Sequence, residues 1–205
     1  MRKTKEEAAV TREQLLKKAL AVFSKKGYAS TTLQDIASEA DVTRGAIYWH
    51  FGSKAELYNT LVEEYSGRGN QIVQQAAAEG GSLLDILRRV FVRQLEAIEK
   101  DRELRALIEL YLFKTGPVPE LEVGRQQQIE SSHALIEMLT GIMEQGIQAG
   151  ILRSDVQAPD MARAYLAFQN GLIQQWISAP DQYSLAAKAN SFADILMAGI
   201  QASPE

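Results

Sequence analysis

Two places in the sequence bring chemistry-bearing side chains together. One is residues 42–57, VTRGAIYWHFGSKAEL, where Thr43, Arg44, Tyr48, Trp49, His50 and Lys54 surround a short apolar skeleton. The other is Glu130-Ser131-Ser132-His133, the E-x-x-H spacing with which di-iron carboxylate bundles present two ligands on one helix face. Such a metal site needs a second E-x-x-H and two further carboxylates. The other histidine, His50, has Ile47 at the matching offset, so half the site is missing. There is no cysteine, hence no disulfide framework, thiolate ligand or thiol nucleophile. No Ser-His-Asp order, Walker loop or G-x-G-x-x-G motif occurs. An enzyme is therefore not expected, nor any cofactor; a helical-bundle metalloenzyme is a remote alternative.

The residue types in 42–57 suit a different task. Arg44 can fork onto guanine O6 and N7 in a major groove. Gly45 costs a helix about 1 kcal/mol against alanine, which invites a steric reason: without a side chain, a helix can approach a duplex closely. Tyr48 and His50 can reach phosphate oxygens while their rings lie along the sugar wall. Lys54 stands where a following helix begins, and an anion is favoured there. Thr32 and Thr43 can divide their hydroxyls between helix capping and phosphate. Plainer roles stand beside these: Thr43 can serve as a cap alone, and His50 as an ordinary interface residue. Trp49 is one step from Tyr48, so the two point to different faces, and Trp49 and Phe51 are expected in the core.

These side chains need short helices to hold them. "TREQ" has the form of a capping box beginning at Thr11. Leu15, Leu16, Ala19, Leu20 and Phe23 follow at helical spacing, and Gly27 supplies a stop. Thr32 and Asp35 make a second cap, with Leu33, Ile36, Ala37 and Ala40 on one face. A turn around Ala40–Thr43 leads to a third helix ending at Phe51–Gly52, with Ala46 and Ile47 facing inward. Ser53 and Glu56 open a long fourth helix. Two helices joined by a tight turn, the second short, basic and aromatic, form a helix-turn-helix. Longer helices are expected over about 82–100, 102–114, 121–149, 160–178 and 184–201, punctuated by glycine and proline. No alternating strand pattern is found.

Charge supports a division. Residues 1–54 carry 10 Lys and Arg against 6 Asp and Glu, or +4; residues 55–205 carry 12 against 20, or −8. A basic head on an acidic body points to a DNA-facing end. The basic N-terminus lacks the apolar run of a signal peptide. The longest uncharged stretch, Ala164–Pro180, is too polar to span a membrane. No membrane partner is expected, and the location expected is the cytoplasm.

The stretch TLQDIASEADVTRGAIYWHFGSKAEL resembles the DNA-binding domain of the TetR/AcrR family of bacterial transcriptional repressors, and VTRGAIYWHF resembles especially the branch that controls multidrug efflux pumps. The resemblance covers about residues 10–57. It implies an all-α homodimer of about nine helices per chain. A three-helix helix-turn-helix domain (1–54) would precede a larger ligand-binding and dimerisation domain (55–205). It implies binding to a palindromic operator on double-stranded DNA, with repression relieved by a small-molecule effector. It places the base and phosphate contacts on Thr32, Thr43, Arg44, Gly45, Tyr48, His50 and Lys54.

In the body, apolar helix faces carrying an odd polar residue are the candidates for an effector pocket: Val62 and Ser66; Phe91; Ile108, Tyr111 and Leu112; Leu135 and Leu139; Phe168, Gln169, Asn170, Ile173 and Trp176. The bland reading of each aliphatic residue is plain core. Gln169 and Asn170, if buried, need partners that a ligand or water could supply. Efflux-type relatives often carry acidic or histidine groups where Ser66 and Leu112 stand, so a neutral or mildly polar, lipophilic or aromatic ligand is expected. The last two helices present further apolar faces, and Gly171 permits close approach, so they are expected to form the homodimer interface. A ligand-independent DNA-binding regulator, or an activator, shares the head and remains the alternative.

Overall fold

The structure, a computed structural model, describes residues 5–202. Nine α-helices run through them: α1 (Lys5–Lys26), α2 (Leu33–Glu39), α3 (Arg44–Phe51), α4 (Lys54–Ala78), α5 (Leu83–Lys100), α6 (Arg102–Glu109), α7 (Glu122–Gln148), α8 (Ala158–Ser178) and α9 (Leu185–Ile200). No strand occurs among the described residues, only an isolated antiparallel bridge between Leu152 and Gln201. The all-α expectation holds.

Local chemistry accounts for the short helices. Thr32 caps α2: its Oγ1 accepts from the Asp35 amide at 3.1 Å, and the Asp35 carboxylate accepts from the Thr32 amide at 2.9 Å. Thr43 caps α3 by accepting from the Ala46 amide at 3.2 Å. Gly27 and Gly52 end α1 and α3 with φ of 75°. The turn between α2 and α3 is closed by the Val42 amide on Ala37 O at 3.0 Å, and Asp41 takes φ 53°, a region that Asp tolerates better than most residues. One expected cap is corrected. The helix α1 starts at Lys5, so Thr11 lies inside it. The residues before Thr11, Lys-Glu-Glu-Ala-Ala-Val, contain no breaker and are mostly strong helix formers.

The described chain divides into two compact units: Met1–Gly67 with Arg102–Gly124, and Arg68–Asp101 with Arg125–Glu205. The first has one core. Leu15, Leu16, Ala19 and Phe23 of α1 meet Ile36 and Ala37 of α2, Ile47 and Phe51 of α3, and Leu57, Tyr58 and Leu61 of α4. Phe23 stacks on Tyr28 at 5.6 Å, and the Tyr58 ring stands edge-on to both. Burying each large side chain contributes roughly 1.5–3 kcal/mol, so α3 is anchored chiefly through Ile47 and Phe51. Leu107, Leu110 and Leu121 join this core. Beyond Glu109 the chain widens into a π-helical turn (Leu110–Lys114), and the Thr115 hydroxyl donates to Leu110 O at 2.9 Å.

In the second unit α5 lies along α9 and α8. Phe91 stacks on Phe168 at 6.0 Å and meets Tyr165 edge-on at 5.7 Å. The Tyr165 hydroxyl donates to Leu87 O at 2.9 Å. Glu99 of α5 caps α9, accepting from the Ser184 hydroxyl and the Ala186 amide.

Candidate nucleic-acid interface

The N-cap at Thr43 puts Arg44 on the first turn of α3, exposed. Ile47 and Phe51 are buried, Gly45 and Trp49 lie on the face opposite them, and Arg44 and Tyr48 are exposed on the flank between. The Arg44 guanidinium lies over the Tyr48 ring, 5.5 Å from its centroid. A Cβ built on Gly45 would meet only Thr43 Oγ1, at 3.7 Å, an ordinary contact. Nothing inside the fold asks for glycine there.

Trp49 is the clearest correction: it is 73 % exposed, not core. The helical period is responsible. Phe51 and Ile47 take the inward positions of this two-turn helix, and residue 49 falls on the far side. Its ring is edge-on to His50 at 4.5 Å, and His50 is half-buried, tilted against Phe51. Sequence reasoning missed Trp49 as a surface group, although its offset from Ile47 and Phe51 carried the signal.

Two expected phosphate groups have other partners. The Thr32 hydroxyl donates to Asp35 Oδ2 at 2.8 Å, and that carboxylate also pairs with Lys26 at 2.7 Å. The Lys26 hydrogen bond, with those from Thr32, holds Asp35 at about 2 against a usual value of 3.8. Lys54 donates to Tyr28 O at 3.2 Å and Thr31 O at 3.1 Å, lies over the Tyr28 ring at 4.2 Å, and faces Glu120 at 3.5 Å.

The expected effector residues fall into both units. In the first, Val62 and Ile108 are buried, whereas Ser66, Tyr111 and Leu112 are exposed. In the second, Phe91, Leu139, Gln169, Ile173 and Trp176 are buried, Phe168 is half-buried and Leu135 is exposed. Asn170 is exposed, on the flank of α8 with Ala167, Gly171 and Gln174. Gln169 is buried and donates to Gln94 Oε1, while its own Oε1 has no hydrogen-bond partner. The Trp176 indole donates to Tyr183 O at 3.0 Å, so that side chain also anchors the α8–α9 connection. An open cleft of about 310 Å³ on α5 holds none of these residues; its arginines pair with Asp194 and Glu79. Glu130 and His133 both lie exposed on α7, and among the described residues no three His, Asp or Glu side chains are grouped to hold a metal.

Comparison with known proteins places this head. Residues 15–61 match the family model of the bacterial regulatory proteins of the tetR family. Residues 82–201 match the C-terminal region of the MAATS-type transcriptional repressors. The chain belongs to the TetR family. That family is one of bacterial DNA-binding regulatory proteins, and its C-terminal region is that of transcriptional repressors. This TetR-family chain is 33 % identical to the HTH-type transcriptional regulator AcrR of Shigella flexneri over 96 % of its own length and 92 % of that protein. Its fold is that of NalD, the secondary repressor of the MexAB-OprM multidrug efflux pump in Pseudomonas aeruginosa (TM-score 0.85, 23 % identity, covering 96 % of this chain and 98 % of that one). It is also that of SmeT, the repressor of the Stenotrophomonas maltophilia pump SmeDEF, in its triclosan complex (TM-score 0.80, 24 % identity, 94 % and 92 % covered). The similar proteins are named as regulators. No helix among the described residues of this TetR-family member is long and apolar enough to cross a membrane.

Proposed function

We propose that this chain works in the cytoplasm as a homodimer that represses transcription from a near-palindromic operator, entering the major groove with α3, and that a small lipophilic or aromatic ligand releases it. The observation that carries the reading is the outward face of α3: a capped helix whose exposed side groups are a guanidinium, a glycine and two aromatic rings. Arg44 supplies base discrimination; Thr43, Tyr48 and His50 supply phosphate contacts, with Gly45 allowing the approach. Trp49 lies along the groove wall.

Dimerisation through α8 and α9 is supported by their open flanks. Ala167, Gly171 and Gln174 are exposed on α8, nothing lies within 4 Å of a Cβ built on Gly171, and Ile195 of α9 is 63 % exposed. A two-fold dimer presents its recognition helices about 34–36 Å apart, or a multiple of that. The effector reading leans on the efflux-pump repressors among the relatives and on the triclosan bound to SmeT. An effector must prefer the DNA-incompetent state, and a coupling of roughly 1–3 kcal/mol is typical.

The test is fluorescence anisotropy with DNA from upstream of the protein's own gene, titrated against salt, with random DNA as control. Tight, salt-steep, sequence-selective binding that weakens with lipophilic phenols is expected. Equal and weak binding to both DNAs would overturn the reading.

A further inference from the structure

Glu120 belongs to no motif and follows a proline in the short 3-10 turn (Pro119–Leu121) before α7. Its carboxylate nevertheless receives the Tyr28 hydroxyl at 2.7 Å and faces Lys54 Nζ at 3.5 Å. Tyr28 sits in the turn between α1 and α2, and Lys54 opens α4 directly after the recognition helix. Lys54 in turn grips that turn through Tyr28 O and Thr31 O. The same segment is fastened by three more hydrogen bonds. Lys114 O accepts from the Tyr28 amide at 3.0 Å, and Lys114 Nζ donates to Ser24 O at 2.8 Å. The Thr115 hydroxyl bonds the Tyr58 hydroxyl at 2.8 Å. Each contact lies inside the first unit, so the stretch that follows α6 is built into the body that carries α3.

We propose that Glu120 is a positioning residue for operator binding: through Tyr28 and Lys54 it clamps the first turn of α4 to the α1–α2 turn and so fixes where α3 stands. The inference rests on the DNA-reading function proposed above. It deepens that function by naming a route. Ile108, Tyr111 and Leu112, candidates for effector contact, lead into the clamped segment, so a displacement there reaches the head through Glu120 and Lys114. Burial of the Tyr28 ring and phenol beside this carboxylate fits a permanent hydrogen bond: Tyr28 is pushed well above the usual tyrosine range, and its hydroxyl holds Glu120 below the usual glutamate range.

Sign separates this role from plain charge. A carboxylate that merely repels DNA strengthens binding when it is removed. A positioning carboxylate weakens binding when its hydrogen bond is lost, and no phosphate contact goes with it. The experiment measures operator affinity against salt for Glu120→Ala, Glu120→Gln, Tyr28→Phe and the Glu120→Ala/Tyr28→Phe pair, with thermal melting to verify that each variant is folded at the assay temperature. Glu120→Ala and Tyr28→Phe should each weaken binding about three- to ten-fold, as loss of one hydrogen bond implies, with the salt slope unchanged. The pair should be no worse than Glu120→Ala alone, and Glu120→Gln, which still accepts from Tyr28, should bind more tightly than Glu120→Ala. Amide exchange at residues 54–57 should quicken in Glu120→Ala. Unchanged or tighter binding by folded Glu120→Ala, or additive losses in the pair, would overturn the inference. Wild-type protein that does not select the upstream DNA would instead sink the DNA-reading function itself.

Discussion

At the scale of single residues, the exposed side chains of α3 are those that the fold itself does not need, and two of them separate fold from the proposed function. Arg44→Ala should cost about 1–3 kcal/mol of operator affinity and relax preference at one base position; binding like wild type, by anisotropy on a set of single-base operator variants, would assign base reading elsewhere. Trp49 offers a cleaner separation of fold from function. A buried tryptophan cut to alanine costs about 3–5 kcal/mol, whereas an exposed one away from special features changes stability by less than about 0.5 kcal/mol. At 73 % exposure, Trp49→Ala should leave the urea midpoint almost unmoved while weakening operator binding. A large loss of stability would return the side chain to the core.

At the scale of elements, two caps hold the helix-turn-helix together, and they answer to different variables. Thr43→Ala removes the acceptor for the Ala46 amide and should destabilise the head by about 1 kcal/mol, measurable by thermal melting without DNA. The α2 cap is an acid switch. Asp35 in the folded chain titrates at about 2, lowered first by Lys26 and then by Thr32. The unfolded chain therefore takes up the proton first as pH falls. The cap's contribution is present above about pH 4 and is lost as pH descends to about 2. Asp35→Asn should flatten that part of the stability curve; a curve identical to wild type between pH 4 and 2 would remove Asp35 from the account.

At the scale of the whole molecule, a basic head should make operator binding strongly dependent on salt, and the proposed dimer can be tested at its exposed flank. Ile195→Glu places a charge on the exposed flank of α9. If that flank meets a second copy, sedimentation should show monomers. Operator affinity should then fall by orders of magnitude, because one head alone must bear the association cost and makes half the contacts. A dimer that survives the substitution would place the interface on another face. The E-x-x-H of α7 gains nothing at this scale, since Glu130 and His133 are exposed side chains and Glu130 accepts from Gln126 at 3.4 Å.

What the sequence by itself determined was local. The caps at Thr32 and Thr43, the stops at Gly27 and Gly52, the turn after Ala40 and the inward pair Ile47 and Phe51 each depend on residues within a turn or two, so spacing alone expresses them. The family resemblance over about residues 10–57 rests on the same kind of information, a compact string of caps, turn and short helices. The tertiary structure decided what distance along the chain conceals. Glu120 meets Tyr28 across 92 positions and Gln169 meets Gln94 across 75, and no periodicity links such pairs. Burial of a side chain depends on which helix arrives opposite it: Phe51 was covered and Trp49, two residues away, was not. Lys54 shows the difference most directly. Its charge and its place at a helix start were legible from the sequence, but only folding brought two backbone carbonyls and a distant carboxylate around the ammonium, because those partners lie on segments that meet through the packing of the core.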